Sequence, residues 1–310
     1  MFDQNLPDQL ASRLANDRIA IFLFHGVIRK QIDPVRNYTG KHIESNLFSE
    51  CMEMLLRKGN PLSMEKIRVL CEENEPFPSN SFAVTFDDGF ENNISVAAPI
   101  LQDLKIPFTI YVTSKFVDEN GMSWIDRIEY SVQDTDLKII RAEWLKLDFE
   151  LNTAKQKIEF LRSIRQFVKN TPSCDPNKFA DKLCSRLGKH GKLSTMDQLD
   201  LKMSWDQVRT ANKNDLITIG GHSHSHPILS FLTQGQLRSE LDTSLNMLWR
   251  NANVGPTHYS YPEGLAHCFS DNVIKELKIR GVKCCPTAID GVNEIGVDPF
   301  YLKRIMVNAE

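Results

Sequence analysis

The sequence contains no C-x-x-C pair, and its seven cysteines (51, 71, 174, 184, 268, 284 and 285) form an odd set. Neither a disulfide framework nor a thiolate zinc site suits that spacing, so reduced, mostly buried thiols are expected. An excess of positive charge is also missing: 37 Lys and Arg stand against 40 Asp and Glu, a formal net charge of −3. Without a basic field the chain has no general means of holding a phosphate backbone, and nucleic acid is not an expected partner. Glycine-rich phosphate loops of the two common spacings are absent, as are repeats and low-complexity tracts. The apolar run "IAIFLF" (19–24) is far short of the roughly 20 residues that span a bilayer as a helix. The opening "MFDQNLPDQLASRLANDR" has acids and no apolar core, unlike a secretory signal. These absences lead to the expectation of a cytoplasmic protein with no transmembrane segment, with peripheral contact to a membrane surface left open.

What is present fits a soluble globular chain: 310 residues, 41% hydrophobic and 25% charged. Short apolar runs suited to strands buried on both faces occur at 19–24, 82–86, 107–112, 216–220, 257–261 and 281–285. A last run, "FYLKRIMV" (300–307), alternates more. Helical patterns separate them at 91–105, 234–250 and 271–280, so the expected class is α/β with right-handed crossovers. The segment 122–202 differs, being rich in helix formers and charge; a helical insertion is expected there, beside the mouth of a barrel. "NTPSCDPNK" (170–178) is its clearest internal break. One domain, 1–310, with this insertion inside it, is the expected organisation.

The strand ends carry the chemistry. "IAIFLF" is followed by His25, "FAVTF" by Asp87, Asp88 and Gly89, "LITIG" by His222, His224 and His226, and "THYSY" by Pro262, Glu263 and Gly264. In a parallel α/β barrel these ends open on one face, where active sites lie. Two adjacent carboxylates repel unless a cation compensates them. A metal would, with one acid binding it and the other left to take a proton from its water. His222 and His226, four apart, share a face if the segment makes a helical turn; His222 and His224 share one if it stays extended. Either pair with one carboxylate is a known catalytic zinc donor set.

"TFDDG" (85–89), "GGHSHSHP" (220–227) and "YSYPEG" (259–264) together resemble the polysaccharide deacetylases of the NodB-homology type, carbohydrate esterase family 4. "SWDQVR" (204–209) and "YLKRIMV" (301–307) are similar to the family as well. The resemblance implies a distorted, incomplete (β/α) barrel and metal-dependent hydrolysis of an N-acetyl group on an amino sugar. It implies Asp87 as general base, Asp88, His222 and His226 as ligands of a divalent metal such as zinc, and a substrate or oxyanion role near Tyr261 and the backbone N–H of Glu263. His224 is left as a passenger. Three departures stand out. Ser260 and Glu263 replace the Arg and aromatic of commoner third motifs, which leaves Arg304 as a candidate brace for Asp87. No histidine follows His267 to serve as the late general acid. "FLFHGV" is similar to the early Tyr-His strand of the circularly permuted branch, which makes His25 the expected acid, ahead of His258 and His267. Glu263 adds a negative charge near the site. Given the cytoplasmic expectation, nucleotide- or lipid-linked sugars are the expected substrates. Rival expectations are hydrolysis of a non-sugar amide or imide, and a non-catalytic carbohydrate-binding descendant.

Overall fold

Runs in which nearly every residue is buried form the centre of the computed structural model, which describes residues 5–31, 35–171, 173–191 and 193–309. The first four residues of the stretch read as lacking a secretory signal, and Pro172 of the internal break, lie outside the described residues. Parallel strands Arg18–Phe24, Ser81–Phe86, Phe108–Val112 and Ile217–Gly221 lie side by side in that order. Ile305–Met306 pairs parallel with the other edge of Arg18–Phe24. Alternation divides the two faces. Ala20, Phe22, Phe24, Phe82, Val84 and Phe86 point outward into a core that includes Phe48 of helix Ser45–Lys58, while Ile19, Ile21 and Ala83 point inward. Burial of each phenylalanine contributes about 1.5–3 kcal/mol, and the Phe24–Phe48 edge contact at 5.3 Å adds geometric specificity.

Beyond Ile217–Gly221 the wall becomes irregular. The runs expected as strands at 257–261 and 281–285 are held by single parallel bridges, Gly221 to Tyr259 and His258 to Cys284. Pro262 and Pro286, which lack N–H groups, stop both runs. Individual bonds carry the wall onward, Thr287 N to Leu302 O and Val307 N to Leu23 O. Among the described residues the regular ladder therefore does not close, and the architecture is the α/β, incomplete barrel read from the sequence.

The helical pattern at 91–105 divides into a π-turn, Asn93–Ala97, and helix Ala98–Asp103. Pro99 lacks the N–H that would continue a regular helix at that point. In the insertion, helices Trp124–Gln133, Ala154–Asn170 and Pro176–Arg186 share a separate apolar core around Ile128, Phe160, Ile164 and Leu183. The insertion is not purely helical. Ile139–Ala142 and Leu147–Glu150 pair as an antiparallel hairpin, in which Ile140 and Ala142 turn inward while Ile139 and Arg141 face solvent. That period of two prevails over the helix-forming composition once the core supplies a surface to pack on. No helix among the described residues is long and apolar enough to cross a membrane.

Candidate active site

Register brings the strand ends together. Phe24 is aligned with Phe86, so His25 and Asp87 are the next residues on neighbouring strands. His222 N donates to Val112 O and Ser260 N to Gly221 O, which brings the histidine strand and the third motif level with one another. Alternation from Ala83 through Thr85 turns Asp87 inward, and Asp88 would then face outward. Asp88 instead has φ of 72°, in the left-handed region, and both carboxylates line one cavity of about 290 Å³ with His25, His222, His226 and Glu263. Ser223, His226 and Glu263 also have left-handed backbones, at 65°, 59° and 58°. Such conformations cost roughly 1–3 kcal/mol each and persist where surrounding contacts enforce them.

The expected helical turn for the histidines is not what forms. Residues 222–228 are an irregular loop, turned by the left-handed residues and by a 2.9 Å bond from His226 N to Ser223 Oγ. Glu240 of helix Gln234–Ala252 anchors the loop by accepting from His224 N at 2.8 Å and Ser225 N at 2.5 Å. The His222 and His226 rings end up 4.9 Å apart. His224 faces elsewhere, with Nδ1 against Ser114 Oγ at 2.9 Å.

Asp88 Oδ1 stands 3.4 Å from His226 Nε2 and 3.8 Å from His222 Nε2, beyond good hydrogen bonds. It is buried and has no hydrogen-bond donor. One donor atom from each of the three residues lies within 4.8 Å of the others. His222 Nδ1 meets Ser260 Oγ at 2.6 Å and Ser260 O at 3.1 Å; donation there leaves the Nε2 lone pair facing Asp88. Burial lowers the His222 pKa, against the pull of Asp87. For Asp88, burial alone would raise the pKa, but His226, His25 and His222 hold it below the usual range. A neutral imidazole and an ionised carboxylate are the protonation states a divalent cation needs, so the residues present fit one.

Asp87 belongs to a different network. Arg304, fully buried, donates Nη1 to Asp87 Oδ1 and Nη2 to Oδ2, both at 2.8 Å. Burial would raise Asp87, but Arg304 and His222 bring it to about 2. Ser260 Oγ reaches Asp87 Oδ1 at 3.4 Å. Ser260 thus touches both networks, a role that its place as a substituted third-motif residue did not reveal.

His25 lies on the same cavity wall, its carbonyl accepting from Asn93 Nδ2 at 2.8 Å and its Nδ1 buried without a partner. Burial lowers its pKa to about 4, against the pull of Asp88. The π-turn that presents Asn93 was not expected from the sequence. Glu263 lines the cavity through the turn it makes with Gly264. A Cβ at Gly264 would lie 2.5 Å from Ala288 N, so no other residue fits this turn.

Tyr261 is corrected. The residue is fully buried in the core around Leu237 and Ile274, its hydroxyl donating to Phe300 O at 3.2 Å, and it does not line the cavity. Alternation is the cause: Ser260 faces the site, so its neighbour faces away. Of the rival histidines, His258 is bound to Glu65 at 2.8 Å and His267 stacks on Phe231.

A family profile described as polysaccharide deacetylase matches residues 74–284, well over half of the chain. Comparison with curated proteins finds no match. Among solved structures, the Streptococcus pyogenes deacetylase PplD in complex with acetate superposes with a TM-score of 0.60 and 14% identity, over 94% of this chain and 93% of that one. IcaB from Ammonifex degensii gives a TM-score of 0.60 and 16% identity, over 96% of this chain and 94% of that one. The BpsB deacetylase domain from Bordetella bronchiseptica gives 0.57 and 16%, over 94% and 96%. At these identities the likeness establishes the fold.

Proposed function

The chain belongs to the polysaccharide deacetylase family, whose reaction is hydrolysis of an acetyl group on a sugar, and on that premise we propose that it is a metal-dependent N-deacetylase of an acetamido sugar carried on a nucleotide or a lipid. One observation carries the metal dependence: a buried carboxylate oxygen, Asp88 Oδ1, has no donor and faces two imidazole nitrogens. Asp88, His222 and His226 would hold the ion, and a two-histidine, one-carboxylate donor set suits zinc. When bound, a divalent zinc polarises an acyl carbonyl and brings water within reach of deprotonation near neutral pH.

The remaining steps belong to side chains. Asp87, kept ionised by Arg304, accepts the proton of the attacking water. Arg304 also fixes both carboxylate oxygens in place, which is the positioning that general-base catalysis requires. The leaving nitrogen must be protonated before it departs, since an amide anion is too basic to leave in water. His25 is neutral at rest and carries to that nitrogen the proton Asp87 has taken up, so the protein ends the cycle as it began. The backbone turn at Glu263 and Gly264 borders the reacting carbonyl. In this reading His25 fills the role of the early-strand acid of the circularly permuted branch.

The test combines metal analysis with acetate release. Purified protein is expected to hold a divalent cation and to release acetate from UDP-N-acetylglucosamine or a lipid-linked acetamido sugar. A chelator should abolish the release and added zinc should restore it. Absence of bound metal together with no acetate from any acetamido sugar would overturn the proposal.

A further inference from the structure

A second cavity, of about 440 Å³, adjoins the catalytic one and shares Trp124, His226 and Glu263 with it. Its size is that of a small-molecule site, roughly 300–1,000 Å³. One side is built by the insertion, from Val168, Thr171 and the residues 173–177, and the other by the loop after the histidines, from the residues 225–228 with Phe231 and Leu232. A substrate whose acetamido group reaches Asp87 therefore extends naturally into this space.

Its walls differ from those of the catalytic cavity. The catalytic cavity includes Lys41 and Arg165, each already engaged, with Asp126 at 2.5 Å and Glu129 at 3.3 Å. The second cavity has no Lys or Arg among its described side chains, and its acidic residues are Asp175 and Glu263. The first turns of helices Pro176–Arg186 and Gln234–Ala252, which bring Asn177 and Gln236 to its wall, are backbone features that suit an anion. Asp175 already caps the first, accepting from Asn177 N at 3.0 Å and Lys178 N at 3.2 Å, and Thr233 Oγ1 caps the second, accepting from Gln236 N at 3.4 Å. A pyrophosphate would thus meet carboxylates and helix ends that already carry caps. Apolar surface is what the cavity offers: Phe231 is 47% exposed and Leu265 37% exposed on its wall. Large apolar side chains left open beside a functional cleft mark a place where something apolar is covered.

We propose that this cavity is the subsite for the group attached to the acetamido sugar, and that it accepts an uncharged group with an apolar face in preference to a nucleotide diphosphate. The proposal rests on the deacetylase reading and revises its substrate, setting the nucleotide-linked form aside for one with an uncharged group beside the acetamido sugar. A neutral glycosyl unit and an alkyl or aryl aglycone share that chemistry, and the experiment separates them.

Acetate release is measured on the intact, metal-loaded protein with N-acetylglucosamine, its p-nitrophenyl glycoside, di-N-acetylchitobiose and UDP-N-acetylglucosamine. The p-nitrophenyl glycoside or the chitobiose is expected to exceed the free sugar in kcat/KM by about tenfold or more, mainly through KM, as filling an apolar pocket does. UDP-N-acetylglucosamine is expected to gain nothing over the free sugar. Preference between the p-nitrophenyl glycoside and the chitobiose identifies an aryl-type or a glycosyl-type occupant. Phe231→Ala and Leu265→Ser should reduce the favoured probe to the level of the free sugar and leave turnover of the free sugar unchanged. UDP-N-acetylglucosamine as the best substrate, or an unaltered ranking in both variants, overturns the subsite. Equilibrium dialysis with the same probes decides the matter independently of turnover. Binding of the uncharged probes that is lost in Phe231→Ala, with no acetate released, retains the subsite and rejects only the deacetylase reading. Equal affinity for all four probes, with or without turnover, rejects the subsite.

Discussion

Two histidine–carboxylate clusters meet the same run of chain and are built in opposite ways. His258 Nε2 lies 2.8 Å from Glu65 Oε2, and Arg68 holds the same carboxylate at 2.6 Å. Hydrogen bonds from His258 and Arg68 lower Glu65 to about 2, and the three side chains meet at bonding distance. Two residues further on, Ser260 joins the other cluster, where His222 and His226 face Asp88 from 3.8 and 3.4 Å and no donor reaches the shared oxygen. Groups whose role is to stabilise the fold close to bonding distance. Groups that converge and stop short leave a position for a cation. Both clusters set imidazole against carboxylate, but the first adds the Arg68 guanidinium and closes to bonding distance, whereas the second has another imidazole and stops short.

The comparison breaks most visibly if the wrong cluster holds metal. His226→Ala is expected to reduce bound metal from stoichiometric to near zero and acetate release to background, while His258→Ala keeps both; elemental analysis and an acetate assay decide. Asp87→Asn should lower turnover by about 10²–10⁴, the usual worth of a general base, at unchanged metal content. A parallel loss of metal would move Asp87 into the ligand set. Arg304→Ala leaves a buried carboxylate unpaired, and urea unfolding at neutral pH should show a loss of about 3–5 kcal/mol. The pH dependence follows from the sign of the shift. Asp87 is lowered from 3.8 to about 2 in the fold, so its stabilisation is complete above pH 4 and is lost as pH falls toward 2. The stability gap between wild type and Arg304→Ala should therefore narrow over that interval. Smallest is Glu65→Gln, whose carboxylate is half-exposed: a stability change under about 1 kcal/mol, with metal content and turnover unaltered.

Much of the regular wall was legible because buried parallel strands write themselves as uninterrupted apolar runs, as at 19–24 and 82–86. The polar residues that end those runs marked the rim, since Asp87 and His25 follow aligned partners. Local shape was less legible. The i, i+4 spacing of His222 and His226 suggested a helical turn, but left-handed Ser223 and His226 bring the rings together by another path. Tyr261 carried the motif's appearance, yet strand alternation assigned it to the core. The hairpin at 139–150 hid behind helix-forming composition. Contacts between distant residues are legible only by another route. Arg304 and Asp87 are 217 positions apart, and the third motif's missing Arg, rather than anything local to either residue, pointed to Arg304 as the brace; its bidentate geometry emerges only in the fold.

That distance has a consequence for when the protein gains its chemistry during synthesis. Asp88, His222 and His226 all leave the ribosome before Arg304 does, and the strand beside Arg304, Ile305–Met306, must then dock on Arg18–Phe24. A nascent chain thus carries the ion-gripping side chains while the neighbouring carboxylate still awaits its guanidinium. Catalytic competence waits for the docking event that joins Ile305–Met306 to Arg18–Phe24, a strand made far earlier.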